Sequence, residues 1–421
     1  MLKSLFKKFK KTIVFKTIQK TIPYRALRKV YRACRKQIRR MYRYEMLRKH
    51  YPKLYNKYAA RPVNEKKVVF IEVRESKISD SFSLMYKKVQ EEHKYEIHTH
   101  FLRSGFSKRK DYQHACEAMI TDIADAKYIF LNESSDVIAA LPMRKETIVT
   151  QLWHGCGAFK KFGMSTAELI FGDDRKTLEK YPYHGNYTYV TVSSPEVVWA
   201  YEEAMSLQDK KGVVVPTGIS RSDIFYDEEA KKAAQEKLLS VVPQANGKKV
   251  ILYAPTFRGR VAKAKTPNQL DIAAFGDALG KDYILLFKLH PFVKKRTAIP
   301  EGYEDFAFDL TDDMSIEELL FVADICISDY SSLVFEYSLF EKPMIFFAFD
   351  LDNYYDWRGF YYDYKDFVPG PIHTTTEEMI EYIQHVDERF DKKKVQEFRQ
   401  KFMSACDGHA TERIMKMMFG E

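Results

Sequence analysis

The sequence predicts an α/β protein of two lobes preceded by a basic helical arm. Three observations carry that expectation: the length, a repeated alternation of short apolar runs with helical patterns, and a positive charge confined to one end. At 421 residues the chain is too long for one ordinary core and suits two domains of about 150 to 200 residues each plus an extension. Hydrophobic residues make up 45% and charged residues 30%, with 17 Gly and 15 Pro, which argues against disordered, collagen-like and low-complexity classes. The net charge is +10, yet residues 1–49 hold 18 Lys and Arg against Glu45 alone. That segment therefore carries +17 and residues 50–421 the balance of −7.

The basic charge thus belongs to an arm, residues 1–58, and not to a nucleic-acid platform spread over the body. Within it Leu2, Leu5, Phe6, Phe9, Ile13 and Ile18, and after Pro23 Leu27, Val30, Tyr31, Cys34, Ile38, Met41 and Tyr42, recur at helical spacing among lysines and arginines. This pattern predicts two amphipathic helices broken near Pro23. An apolar stripe opposite a cationic face suits a helix lying on an anionic bilayer surface. Packing on the acidic body, or nucleic-acid binding, are the competing readings; no recognised nucleic-acid module accompanies the arm. No apolar run approaches the ~18 to 20 residues of a membrane span or the core of a signal peptide. The five cysteines, Cys34, Cys116, Cys156, Cys326 and Cys406, are odd in number and show no CxxC or zinc-ligand spacing, which favours a reducing compartment and no structural metal.

From residue 66 onward, runs rich in β-branched and aromatic residues alternate with helical patterns, which predicts parallel sheets covered by helices. Residues 68–73, 95–102, 127–133, 147–155, 189–194 and 213–218 supply the strands of a first lobe, residues 59–230. Residues 249–257, 283–291, 306–311, 323–332 and 343–350 supply those of a second, residues 248–421. The polar helical stretch between them, ending in Pro243, Asn246 and Gly247, predicts a linker over residues 231–247. Ligands of such sheets lie beyond the carboxyl ends of the strands, so the residues after each apolar run are the ones to inspect.

Three strand ends carry chemistry. His154 follows a strand within Gln151-Leu152-Trp153-His154-Gly155, with Lys160 and Lys161 downstream. His290 does the same in Lys288-Leu289-His290-Pro291. Ser331 and Ser332 close the run Ile327-Ser328-Asp329-Tyr330-Ser331-Ser332, which passes from a strand into the apolar helix 333–340, where hydroxyls and free backbone N–H groups suit a phosphate. Each has a plainer reading: a histidine after a strand serves equally as a hydrogen-bonded structural residue, and Ser-Ser before a helix as a cap. No Walker or GxGxxG loop, DxD pair or GxSxG elbow is present, which speaks against nucleoside triphosphatase, dinucleotide-redox and serine-hydrolase chemistry.

Taken in order, Trp153-His154-Gly155 with Lys160-Lys161, Tyr253-Ala254-Pro255-Thr256-Phe257-Arg258, Lys288-Leu289-His290-Pro291, Ser328-Asp329-Tyr330-Ser331-Ser332 with Phe335-Glu336-Tyr337, Lys342-Pro343 and Arg358-Gly359-Phe360-Tyr361 resemble the CDP-glycerol glycerophosphotransferases, the teichoic acid primases and polymerases. The similarity spans residues 147–363. It implies a GT-B fold, a CDP-linked donor held mainly by the second lobe, and peripheral attachment to the cytoplasmic face of the cell membrane, where a lipid-linked acceptor waits. One departure stands out: Cys156-Gly157-Ala158-Phe159 replaces the Thr-Pro-Leu common in the family, in the loop expected to meet the acceptor.

The resulting expectation is transfer of glycerol phosphate, or a related alditol phosphate such as ribitol phosphate, from a CDP-glycerol or CDP-ribitol donor to a hydroxyl of the membrane-bound acceptor, releasing CMP. In-line attack on phosphorus requires positioning, a base, and cations or dipoles for the phosphate oxygens. His154 is the candidate base. His290, Ser331, Ser332 and Arg258 are candidates for the pyrophosphate. Glu336 and Asp329 are placed at the cytidine ribose or the alditol, or orient these groups, with Asp329 serving equally as a helix-start carboxylate, and Thr256 and Arg358 follow from motif position. No cofactor or tightly bound metal is required by this design, which leaves room only for a loosely held magnesium. The alternatives are a GT-B glycosyltransferase using a nucleotide sugar and a non-catalytic membrane-bound scaffold.

Overall fold

The computed structural model describes residues 22–170, 172–259, 264–352, 354 and 359–420, with side chains from residue 29 onward. Among these described residues twelve strands form two six-stranded parallel sheets. The first contains β1 (Asn64–Glu72), β2 (Glu96–Phe101), β3 (Ala126–Leu131), β4 (Ile148–Gln151), β5 (Tyr189–Thr191) and β6 (Val214–Val215), in the order β2-β1-β3-β4-β5-β6. The second contains β7 (Lys249–Tyr253), β8 (Tyr283–Phe287), β9 (Ala307–Asp309), β10 (Ile325–Ser328), β11 (Met344–Phe347) and β12 (Ile372–His373), in the order β12-β11-β10-β7-β8-β9. The strand order reverses between β1 and β3 in the first sheet and between β10 and β7 in the second, and the two sheets face one another across a cleft, which is the GT-B arrangement. Central strands such as β8 and β10 are buried along their whole length, as parallel strands covered on both faces must be.

The helix Glu228–Val241, capped by Asp227 through the amides of Glu229 and Ala230, connects the sheets. The chain then recrosses. The last helix, Ala410–Phe419, assigned from sequence to the second lobe, packs instead on the first sheet: the Phe419 ring lies 4.6 Å from Tyr95 and 4.5 Å from Tyr128. Asp223 caps its start through the amides of Ala410 and Thr411.

The amino-terminal segment divides into two parts. The helix α1 (Ile22–Glu45) runs on through a π-helical turn, Met46–His50, into the helix Tyr51–Tyr58. Pro23 sits in the first turn of α1, where a missing N–H costs nothing. The helix expected before Pro23 lies outside the described residues. Along α1, Val30, Tyr31, Ile38 and Met41 are 60–64% exposed, so most of the apolar stripe faces solvent. Beyond it Met46, Leu47, Tyr51 and Tyr55 are buried in the first lobe, and Tyr55 Oη accepts from the Arg144 amide. The separable arm therefore ends near residue 41, well before residue 58.

Candidate active site

The strand ends meet in a cleft of about 1230 Å³ between the lobes, lined by His154, His290, Thr256, Ser331, Ser332 and Glu336 among others. Six of the nine sequence-predicted residues are thus brought together. Arg358 lies outside the described residues, and the other two, Arg258 and Asp329, stand behind the cleft wall.

His154 sits on a loop held in an unusual backbone state. Trp153 has φ of +60°, a conformation that costs a non-glycine residue about 1 kcal/mol or more. Its amide donates to Gln151 Oε1, and its indole stacks on the His154 ring at 4.5 Å. His154 Nδ1 lies 2.9 Å from the carbonyl of Asn132. A carbonyl only accepts, so Nδ1 carries the proton and Nε2 keeps its lone pair. The ring opens to the cleft, but protein surrounds it on most sides. Burial, opposed by the Asn132 carbonyl and reinforced by the nearby charges of Arg221 and Arg74, pushes its pKa down to about 4.

His290 has the opposite tautomer. Its Nδ1 accepts from the Phe292 amide at 3.2 Å, so in the neutral ring Nε2 carries the proton and can donate. Burial, with Lys160 and Arg74 adding, pushes its pKa down to about 4 as well. Both rings are neutral at neutral pH, one as acceptor and the other as donor.

Ser331 and Ser332 lead into the short helix Leu333–Ser338. The structure gives Ser332 no side-chain cap bond, and Ser331 Oγ accepts from the Leu333 amide only at a long 3.4 Å. Their hydroxyls are therefore not consumed as caps. Thr256 Oγ1 and Glu336 Oε2, both buried, find no hydrogen-bond partner among the described residues. Burial raises the Glu336 pKa. Unmatched polar atoms of this kind in a cleft are satisfied by a ligand or water.

Arg258 and Asp329 bind each other. Asp329 accepts from the amides of Thr256 and Tyr330 and from Arg258 Nη1 at 2.9 Å, while Arg258 Nε and Nη2 grip Asp350 at 2.6 and 2.9 Å. This network shapes the loop that carries Thr256 and leaves Arg258 little freedom for a phosphate.

Sequence reasoning missed three cations that line the cleft: Arg74, Arg221 and Lys288. Arg221 donates to the His154 carbonyl at 2.6 Å and pairs with Glu317 of the second lobe. Lys288 donates to the carbonyls of Thr311 and Met314. Arg74 directly follows a strand, so the rule that singled out the histidines would have found it. The aromatic motif of residues 359–361 proves to be a fastening between lobes: Lys161 N donates to Gly359 O and Tyr361 N to Phe159 O, at 3.1 and 3.0 Å. In the substituted loop, Gly157 has φ of +65°, and a Cβ there would lie 2.1 Å from the Phe335 ring, so only glycine fits. Among the described residues no group of three or more His, Cys, Asp or Glu side chains is arranged to hold a metal ion, and no helix is long and apolar enough to cross a membrane.

Comparison with known proteins identifies the family. The chain is 36% identical over 359 residues to the teichoic acid ribitol-phosphate primase of Bacillus spizizenii, covering 84% of this chain and 90% of that one. It is 37% identical over 363 residues to the teichoic acid poly(ribitol-phosphate) polymerase of the same organism, covering 86% of this chain and 57% of the polymerase. The structure of the wall teichoic acid polymerase TagF superposes with a TM-score of 0.70 at 23% identity, covering 92% of this chain and 97% of that one, which shows a shared fold. Residues 54–420 match the family model described as CDP-Glycerol:Poly(glycerophosphate) glycerophosphotransferase, and the chain belongs to that family.

Proposed function

We propose that the protein transfers an alditol phosphate, ribitol phosphate first, from its CDP-linked form to a hydroxyl of a lipid-linked acceptor, releasing CMP. The observation that carries the reading is the opposed tautomers of His154 and His290 across one cleft. His154 Nε2 takes the proton of the acceptor hydroxyl as its oxygen attacks the phosphorus next to the alditol. His290 Nε2–H, with the hydroxyls of Ser331, Ser332 and Thr256, holds the diphosphate oxygens, and CMP leaves with the electron pair of the broken P–O bond. Glu336 serves the hydroxyls of the alditol or of the cytidine ribose. Ribitol is favoured over glycerol because the relatives at 36 and 37% identity are ribitol-phosphate enzymes. The test supplies CDP-ribitol, CDP-glycerol and UDP-sugars, each with and without a lipid-linked acceptor. CMP released fastest from CDP-ribitol supports the reading, preference for CDP-glycerol corrects the alditol, and UMP or UDP release, or no turnover, rejects it.

The arm is proposed to hold the protein at the cytoplasmic face of the membrane. Its exposed stripe of Val30, Tyr31, Ile38 and Met41 lies among arginines and lysines, each basic residue near an anionic surface contributing about 1 kcal/mol. Deleting residues 1–40 should leave the fold and donor binding intact while abolishing sedimentation with phosphatidylglycerol vesicles, and salt should weaken attachment of the full chain. Equal vesicle binding by the shortened protein rejects this attachment. Deletion through residue 58 is the wrong experiment, because it removes Tyr51 and Tyr55, 3% and 1% exposed.

A further inference from the structure

We propose that Arg74, on the first lobe, grips the phosphoryl group during transfer and is a catalytic residue of this site; this rests on the donor chemistry proposed above. A CDP-alditol brings two negative charges, and the in-line transition state spreads charge over the oxygens of the transferred phosphorus. The second lobe meets it with neutral donors only: His290, Ser331, Ser332 and Thr256. Arg258, its obvious cation, is held between Asp329 and Asp350. Lys288 is spent on two backbone carbonyls and Arg221 on Glu317 and the His154 carbonyl. A dianion placed in such a cleft without a mobile cation would be poorly compensated.

Arg74, which lines the cleft together with Lys160, supplies a cation from the first lobe. It is half-exposed and lines the cleft, and its Nε is anchored on Glu133 at 2.8 Å. No hydrogen bond of the two Nη groups is found among the described residues, so the outer edge of the guanidinium can reach the paired oxygens of a phosphate. It lines the same cleft as His154 and His290, and its positive charge disfavours the protonated form of both rings.

The loop that carries it is built for positioning. Glu72, buried at the end of β1, accepts from the Ser79 amide at 2.6 Å and from Asn132 Nδ2 at 2.8 Å, which closes the turn around Arg74. The carbonyl of the same Asn132 fixes the His154 ring, and its chain neighbour Glu133 holds Arg74. One short segment after β3 therefore orients both the base and the cation. In the step proposed, the acceptor oxygen forms its bond to phosphorus, its proton passes to His154 Nε2, the bond to the CMP oxygen breaks, and Arg74 binds the non-bridging oxygens whose charge grows.

The experiment measures kcat, KM and donor affinity for the full-length protein and for Arg74→Gln and Arg74→Lys, with CDP-ribitol or CDP-glycerol, whichever the wild type uses. Arg74→Gln should lower kcat by about 10² to 10³ while donor affinity falls by no more than about tenfold, and Arg74→Lys should recover part of the rate. Removing the charge should also move the acid limb of kcat/KM to higher pH, since Arg74 disfavours the protonated form of His154; a merely structural residue would not do that. Unchanged kcat, or a loss confined to donor affinity, overturns the proposal. Near-ultraviolet circular dichroism checks the fold, and Arg74→Lys, which keeps the side chain's length and charge, remains informative if the glutamine variant is damaged. A wild type that releases no CMP from either donor defeats the underlying reading instead.

Discussion

His154→Ala should lower kcat by about 10² to 10⁴, the usual worth of a positioned general base, and leave donor affinity within a few-fold. The ring's contacts explain both halves. Its Nδ1 is tied to a backbone carbonyl and its face to Trp153, so only Nε2 is left for substrate, and a base acts mainly in the transition state. Single-turnover CMP release with calorimetric donor binding makes the measurement. A loss of only a few-fold would make His154 a positioner of the acceptor. The pH profile follows from the same surroundings. With a pKa of about 4 in the free protein, His154 stays unprotonated down to that region, so the acid limb of kcat/KM should fall near pH 4 and not near the ordinary 6.5. Bound diphosphate favours the imidazolium, so the corresponding limb of kcat should lie at higher pH.

Asp329→Ala should destabilise the protein by about 3 kcal/mol or more, because it breaks a buried ion pair from one side. Asp329 is 2% exposed; its loss strands two backbone amides and leaves the partly buried Arg258 with Asp350 and the Thr256 carbonyl. Denaturant unfolding, read against Asp329→Asn, checks this. Full stability combined with lost donor affinity would return Asp329 to the role of a ligand contact. Arg258 falls under the same test, since its guanidinium spans both carboxylates.

The strands of both sheets were legible because β-branched and aromatic runs in buried parallel strands leave little room for another periodicity. Their ends were not. The apolar run after β4 continues through Leu152 and Trp153, yet the strand stops at Gln151 because Trp153 turns to positive φ. The strand β12, which follows Pro371 directly and is two residues long, is too short to show any pattern. Within the site, His154, His290, Ser331 and Ser332 were legible because each follows a strand and strand ends converge. Arg258 and Asp329 turn toward each other for a reason that lies far along the chain. Asp350, the carboxylate that completes their network, lies 92 residues from Arg258, and nothing local says whether a charged pair faces a ligand or each other. Arg221 sits in a 3-10 turn, Ser220–Tyr226, without any local signal, and its partner Glu317 is 96 residues away.

The seam between the lobes has a thermodynamic consequence. Phe159 of the first lobe stacks among Phe360, Tyr364 and Phe367 of the second at 4.8–5.7 Å, and the last helix returns to cover the first sheet. A single cluster of buried residues accordingly runs from Val69 through Phe335 to Phe402. Two domains joined by one linker melt independently when their interface is small and polar. Here neither sheet can come apart without exposing aromatic surface that belongs to the other. Although it looks like two domains, the molecule should unfold as one cooperative unit, so a weakness introduced at Asp329 should be felt at β1, and trimming the carboxyl terminus should open the sheet that the amino-terminal half of the chain began.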